Sequence, residues 1–80
     1  SLNIKQIKYF VSVANRGSLS SAAREHGISV QAVSKSMADL EFEFGENLFD
    51  RSHQGIELTP LGEAFLEKAA EVDSSFESWS

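Results

Sequence analysis

A very short connection between two helical segments constrains this chain more than any other feature of its sequence. The first segment, residues 20–26, ends at Gly27, and the second, residues 30–44, follows Ser29 and ends at Gly45. Glycine readily adopts the left-handed conformation that closes a helix, and serine is a preferred N-cap. Two helices joined by a glycine-containing turn of three or four residues form a helix-turn-helix, so the sequence predicts this arrangement.

Apolar side chains at helical spacing predict a further helix over residues 4–14, ending at Gly17. The long segment 30–44 has its own apolar stripe, which should face the core: Val33, Met37, Leu40 and Phe44. Phe42 lies off this stripe between two glutamates. We therefore expect it to be exposed, which suggests an interface.

Residues 48–51 and 56–58 predict two short strands joined by a turn. Thr59 is placed to cap a last helix, with Pro60 at its first position. A hairpin directly after a helix-turn-helix corresponds to the wing of a winged helix. The alternative is a small helical domain with an incidental hairpin.

The last helix carries an apolar stripe close to a coiled-coil seam, at Leu61, Phe65, Ala69, Val72, Phe76 and Trp79. This stripe has two interpretations, namely packing on its own domain or pairing with the same helix of a second copy. A helix of about twenty residues exceeds what an 80-residue domain covers, so pairing is favoured. The predicted partner is a second copy of this chain, which would form a homodimer.

Charge is divided unevenly along the chain, whose formal net charge is −5. Residues 1–35 carry five cations against one carboxylate, a net of +4, whereas residues 36–80 carry two cations against eleven acids, a net of −9. Charges are screened beyond about 8 Å at physiological salt, so an anionic partner at the first half need not feel the second.

Several functional classes are not expected. The chain has no cysteine, no Gly-x-Ser-x-Gly elbow, no phosphate loop and no His-Glu-x-x-His pattern, so we expect neither an enzyme nor a cofactor. His26 has no second histidine or cysteine nearby and is expected to be a half-buried structural side chain rather than a metal ligand. No apolar run approaches the roughly 18 residues of a membrane span, and a cytoplasmic location is expected.

Short motifs then occur in a fixed order and spacing: GSLSSAA at 17–23, IS at 28–29, AVSK at 32–35, LE at 40–41, FG at 44–45, LFDR at 48–51 and LTPLGE at 58–63. Over about residues 3–72 the chain resembles the DNA-binding domain of the LysR-type transcriptional regulators. The resemblance implies a mostly α, winged helix-turn-helix fold with a three-helix core, a short β-hairpin wing and a long C-terminal linker helix.

The resemblance also implies an organisation. Residues 1–58 would form the DNA-binding domain, with the helix-turn-helix motif at 18–37, and residues 59–80 the linker and dimerisation helix. The expected partners are double-stranded DNA at a pseudo-palindromic promoter site and a second copy of the chain, with tetramers in the full-length protein. A small-molecule effector would bind only through a C-terminal domain that this chain lacks. The alternative function is a winged-helix protein-interaction module that no longer binds DNA.

Three features depart from the family pattern. The family usually has Ser-Gln-Pro-Ala where this chain has residues 29–32, Ser-Val-Gln-Ala. His26 stands where a buried leucine is common, and Ser21 where a basic residue is frequent. These departures bear on which DNA sequence is bound and how tightly, not on the fold.

Candidate base contacts lie on the first two turns of the recognition helix, away from its core stripe: Val30, Gln31, Ser34 and Lys35. Gln31 can pair bidentately with adenine, and Lys35 can donate to guanine or to a phosphate. Val30 can pack on a thymine methyl group.

Candidate contacts to the DNA backbone lie at helix N-termini and in the wing: Ser18, Ser20, Ser29, Arg51, His53 and Gln54. Each of the three serines is also a good N-cap, and for Ser29 capping alone is an equal alternative. For Arg51 the alternative is a surface ion pair with the neighbouring Asp50.

Overall fold

The computed structural model describes residues 1–52 and 54–79. Within these ranges the chain forms four helices and one two-stranded antiparallel sheet: α1 (Ile4–Arg16), α2 (Leu19–His26), α3 (Val30–Phe44), β1 (Phe49–Asp50), β2 (Glu57–Leu58) and α4 (Pro60–Trp79). The order of elements is the one expected from the sequence.

Side-chain capping explains where the first three helices begin. Asn3 and Gln6 form a reciprocal capping box at the start of α1. The Ser18 hydroxyl accepts the backbone N–H of Ser21 at 3.1 Å, and the Ser29 hydroxyl accepts that of Ala32 at 3.0 Å. Of the two serines proposed to cap α2, Ser18 is therefore the one that does so. Gly27 adopts a φ of 65°, which turns the chain from α2 into α3 without steric cost.

The hairpin is shorter than the sequence predicts, because each strand has only two residues, with Phe49 opposite Leu58 and Asp50 opposite Glu57. Before β1, the backbone N–H of Leu48 is bound by a side chain of α3. After β1, the backbone N–H of Ser52 donates to the Asp50 carboxylate at 3.0 Å. Local side-chain acceptors thus replace strand pairing at both ends.

Contacting aromatic rings connect α1, β1, α3 and α4. Phe10 of α1 contacts Phe49 of β1 and Phe65 of α4, with ring centroids 5.4 and 4.9 Å apart. Phe65 also meets Phe44 of α3 edge to face at 4.8 Å. Val33, Met37 and Leu40 are fully buried, as the stripe on α3 predicts, whereas Phe44 at its end is 36% exposed.

The start of α4 is fixed against the hairpin. Thr59 Oγ1 donates to the Asn47 carbonyl at 2.8 Å and accepts the Gly62 N–H at 3.0 Å, so Thr59 caps this helix as expected. A Cβ at position 62 would collide with the Leu48 carbonyl oxygen. Glycine is therefore needed there because α4 and the chain before β1 approach so closely.

The expectation that the whole α4 stripe is free for pairing with a second helix is corrected. Ala69 is buried, and Leu61 and Phe65 pack partly buried against the core of the same domain. The domain covers the first half of the helix because Phe10 and Phe44 supply an apolar surface for it. The second half is covered less completely, and its apolar side chains remain exposed to different degrees: Val72 at 46%, Phe76 at 47% and Trp79 at 88%.

Together these features make a mostly α fold in which α1–α3 form a three-helix core, the hairpin forms the wing and α4 leaves the domain. None of the helices in the described ranges is long and apolar enough to cross a membrane.

Candidate nucleic-acid interface

The N-terminal turns of α3 present a mostly polar face to solvent because their opposite face packs in the core. With Val33 and Met37 buried, the four predicted base-contacting residues are all exposed: Val30, Gln31, Ser34 and Lys35. Lys35 Nζ lies 2.9 Å from Asp39 Oδ2, one helical turn further on, and both side chains are largely exposed. An exposed pair of this kind is weak and leaves the ammonium able to move to another anion.

The three serines differ in what they already bind. Ser18 and Ser29 accept backbone N–H groups of their own helices, so both act as N-caps. A hydroxyl that accepts one hydrogen bond still has its own O–H to donate. Ser20 lies exposed in the first turn of α2.

In the wing, Arg51 lies between an aromatic ring and a carboxylate. Its guanidinium is 5.8 Å from the centroid of the Phe49 ring, and Nη1 is 3.4 Å from Glu41 Oε1. Gln54 is exposed in the turn, and His53 lies outside the described residues. The Arg51 side chain is more than half exposed, so its remaining donors face solvent.

Sequence reasoning gave Glu41 no role, yet its carboxylate connects α3 to the wing. It accepts the backbone N–H groups of Leu48 at 2.7 Å and Phe49 at 3.1 Å and also meets Arg51. The side chain is only 12% exposed. Its place in the LE motif at 40–41, directly after the buried Leu40, was the only signal in the sequence.

Two further exposed cations were also not singled out. Lys5 lines a groove of about 540 Å³ between the start of α1 and α3, and Lys35 lies in the same groove. Arg24 is exposed on α2, and its side chain makes no ion pair within residues 1–52 and 54–79. Both add to the positive charge available around the helix-turn-helix.

Two other cations of the first half pair with carboxylates of neighbouring helices. Arg16 Nε lies 3.0 Å from Glu25 Oε1, and Arg16 Nη1 donates to Ser21 at 3.2 Å, which ties α1 to α2. The hydrogen bond from the Ser12 hydroxyl, and then that from Arg16, hold the pKa of Glu25 below its ordinary value. Lys8 turns the other way, towards α4.

His26 is half-buried, as expected. Its ring packs edge to face on Tyr9 with centroids 5.0 Å apart, and Nε2 lies 3.8 Å from Glu25. The part of the chain that the structure describes contains no group of three or more His, Cys, Asp or Glu side chains able to hold a metal ion.

Comparison with known proteins identifies the family to which this chain belongs. Residues 4–63 match the bacterial regulatory helix-turn-helix proteins of the lysR family. The chain belongs to this family.

Among LysR-family relatives, the chain is 41% identical over 71 residues to the HTH-type transcriptional regulator TcbR of Pseudomonas sp. (strain P51), covering 89% of this chain and 24% of that protein. It is 43% identical over 68 residues to the regulator TfdS of Cupriavidus pinatubonensis (strain JMP 134 / LMG 1197), covering 85% of this chain and 23% of that protein. The chain thus spans about a quarter of the length of these regulators.

Solved structures of LysR-family domains superpose closely on this one. The CbnR_DBD–DNA complex gives a TM-score of 0.88 at 38% identity, covering 96% of this chain and 88% of that one. The BenM_DBD/benA site 1 DNA complex gives 0.91 at 27% identity, covering 98% and 88%. Both likenesses extend over nearly the whole chain, so they include α4 and the wing, and the predicted winged helix-turn-helix fold is confirmed.

Proposed function

We propose that this chain is the sequence-specific DNA-binding domain of a LysR-type transcriptional regulator and binds a pseudo-palindromic promoter site as a dimer. The observation that carries this proposal is the exposed polar face on the first turns of α3, directly opposite the buried Val33 and Met37. A recognition helix needs such a face to enter the major groove. The DNA-bound CbnR and BenM domains support DNA binding over the protein-interaction alternative.

Within the groove, Gln31 would pair with adenine, Lys35 with guanine or a phosphate, and Val30 with a thymine methyl group, while Ser34 would donate to either base edge. To reach guanine, Lys35 would exchange its pair with Asp39 for the base. Each good bidentate contact would discriminate against a wrong base by about 1–3 kcal/mol.

The phosphate backbone would be bound around this face. Ser18, Ser20 and Ser29 would donate their hydroxyl groups from the N-termini of α2 and α3. Arg51, His53 and Gln54 would contact the backbone or the minor groove from the wing. Lys5 and Arg24, which are exposed, would add charge nearby.

We further propose that residues 1–58 act as the DNA-binding unit and residues 59–80 as the linker and dimerisation helix. The exposed residues of its second half, Val72, Phe76 and Trp79, support pairing there. A two-fold pair would present its recognition helices to successive major grooves, roughly 34 Å apart. Effector binding would belong to a C-terminal domain outside this chain, the chain itself would catalyse no reaction, and the protein would work in the cytoplasm, where bacterial DNA lies.

The test is selection from randomised DNA duplexes, followed by binding measurements at several salt concentrations. We expect an enriched two-fold motif and a log–log salt slope of about −3 to −6 per dimer, at roughly −0.9 per phosphate neutralised. The charge reversal Lys35→Glu should abolish binding. Lys68→Glu, which changes the charge equally on α4, should have a much smaller effect. A flat salt slope with no enriched motif would instead support the protein-interaction alternative.

A further inference from the structure

Lys8 of α1 makes a cluster of contacts with the second half of α4. Its ammonium donates to Asp73 Oδ1 at 3.0 Å, forms an ion pair with Glu77 and lies 5.2 Å from the centroid of the Phe76 ring. The Lys8 and Asp73 side chains are only 21% and 25% exposed. Charge-assisted hydrogen bonds in such a half-buried position are stronger than those of a fully exposed surface pair.

These contacts lie beyond the fully buried part of α4. Ala69 is the last buried residue of the helix among those described, and all three Lys8 partners follow it. Phe10 and Phe44 fix the first half of α4 through Phe65. Beyond Ala69, the Lys8 contacts tie the direction of the helix to α1.

The direction of this second half matters geometrically. Ten residues of helix separate Ala69 from Trp79, a distance of about 15 Å at about 1.5 Å per residue. A tilt of about 15° at Ala69 would displace the Trp79 end by about 4 Å, more than the roughly 3.4 Å rise of one DNA base pair. In a dimer joined through these ends, such a tilt would change the separation of the two recognition helices.

We propose that Lys8, together with Asp73 and Glu77, is a positioning cluster that sets the spacing between the two DNA half-sites that the dimer selects. This inference rests on the proposed function, since it requires a dimer on DNA. Lys8 therefore contributes to the geometry of the dimer and does not contact DNA, because its ammonium is already held by two carboxylates of α4.

The experiment measures the binding affinity for a series of DNA duplexes that carry the two selected half-sites. The spacer between the half-sites ranges from two base pairs shorter to two base pairs longer than the preferred length. Lys8→Met keeps most of the side-chain stem and removes the charge. The double variant Asp73→Asn/Glu77→Gln removes the opposite charges without touching Lys8. Lys68→Met is the matched control, since Lys68 pairs with Glu71 within α4 itself, at 3.9 Å.

We expect wild type and Lys68→Met to bind the preferred spacer at least about fivefold more tightly than spacers one base pair longer or shorter. Lys8→Met and the double variant should reduce this preference to about twofold or less, with affinity for a single half-site unchanged within about twofold. Unchanged spacing preference in both variants would overturn the proposal. Failure of wild type to bind any duplex would overturn the proposed function, and the spacing role with it.

A second measurement reports on helix direction without DNA. The chain has no cysteine, so spin labels can be attached at Ala38→Cys on α3 and Ser75→Cys on α4, both exposed positions, and diluted with unlabelled chain. Double electron–electron resonance should give a narrow distance distribution in the otherwise wild-type chain and a broad or shifted one with Lys8→Met. Identical distributions would contradict the positioning role, and thermal melting by circular dichroism verifies that each variant is folded.

Discussion

The carboxylate of Glu41 accepts the backbone N–H of Leu48 at 2.7 Å, which joins the end of the recognition helix to the start of the wing. The same carboxylate accepts the N–H of Phe49 and meets the Arg51 guanidinium. One side chain of α3 thereby satisfies two backbone donors that the short sheet leaves unpaired. The position of the wing relative to α3 depends on it.

We expect Glu41→Ala to lower the free energy of unfolding by about 1–3 kcal/mol, because it leaves two part-buried N–H groups without an acceptor. Glu41→Gln keeps one acceptor oxygen and should cost less. Urea unfolding followed by circular dichroism gives both values. Glu46→Ala, at an exposed position, is the control, and an equal loss from it would contradict this role of Glu41.

Gly62→Ala should destabilise the domain by about 1–3 kcal/mol, although alanine is the better helix former by about 1 kcal/mol. The cause is the collision of the new Cβ with the Leu48 carbonyl oxygen. The comparison is Ala64→Gly on the exposed side of the same helix, which should cost about 1 kcal/mol through helix propensity alone. Thermal unfolding of both variants tests the pair, and a stabilising Gly62→Ala would refute the close approach.

Gln31→Ala should relax sequence preference at one position of each half-site and cost about 1–3 kcal/mol there, with little change in the salt slope. The reason is that an amide reads a base edge without neutralising a phosphate. Competition binding with all four bases at each motif position measures the effect. Ala38→Gln, on α3 but beyond its first two turns, is the control and should leave the motif unchanged.

Acid should weaken the α1–α2 contact through Glu25, whose pKa is lowered from 4.5 first by the Ser12 hydroxyl and next by Arg16. A carboxyl whose pKa is lower when folded stabilises the fold above its unfolded pKa, and this stabilisation is lost as the pH falls through the folded pKa. Between about pH 5 and about pH 3, wild type should therefore lose stability more steeply than Glu25→Gln. Urea midpoints across this range measure the difference.

Two variants sharpen that comparison. Ser12→Ala removes the main cause of the shift and should also flatten the acid dependence. Glu71→Gln, whose carboxylate pairs at 3.9 Å with Lys68 on the surface of α4, should keep the wild-type slope. If the urea midpoints of Glu25→Gln and wild type fall in parallel as the pH is lowered, the Glu25 contact between α1 and α2 contributes nothing to acid sensitivity.

Local signals in the sequence predicted most of the fold. The start of α3 followed from Ser29, which caps it, and the start of α2 was predicted to lie at Ser18 or Ser20, of which Ser18 is the cap. The α2–α3 turn followed from Gly27. The exposed face of α3 followed from the spacing of its buried residues, and Phe42 is 85% exposed, as expected. Caps and periodicity involve residues within one or two turns, so they can be read without knowing the tertiary structure.

What the sequence did not predict depends on contacts between distant residues. The α4 stripe has the same periodicity whether it packs on its own domain or on a second helix, and Ala69 and Phe76 have opposite outcomes within it. Likewise, Lys8 and Asp73 are 65 residues apart, and nothing near either one identifies the other as its partner. Which charged residues pair and which remain for DNA is decided only when the helices pack.

The edge-to-face contact between Phe44 and Phe65 has a mechanical consequence. It joins the end of the recognition helix directly to the first half of α4, with Phe10 packed against the same ring. A force on the first half of α4 therefore reaches the end of α3 through this ring contact. In the proposed dimer, a change in the direction of α4 would therefore also turn α3, the proposed recognition helix.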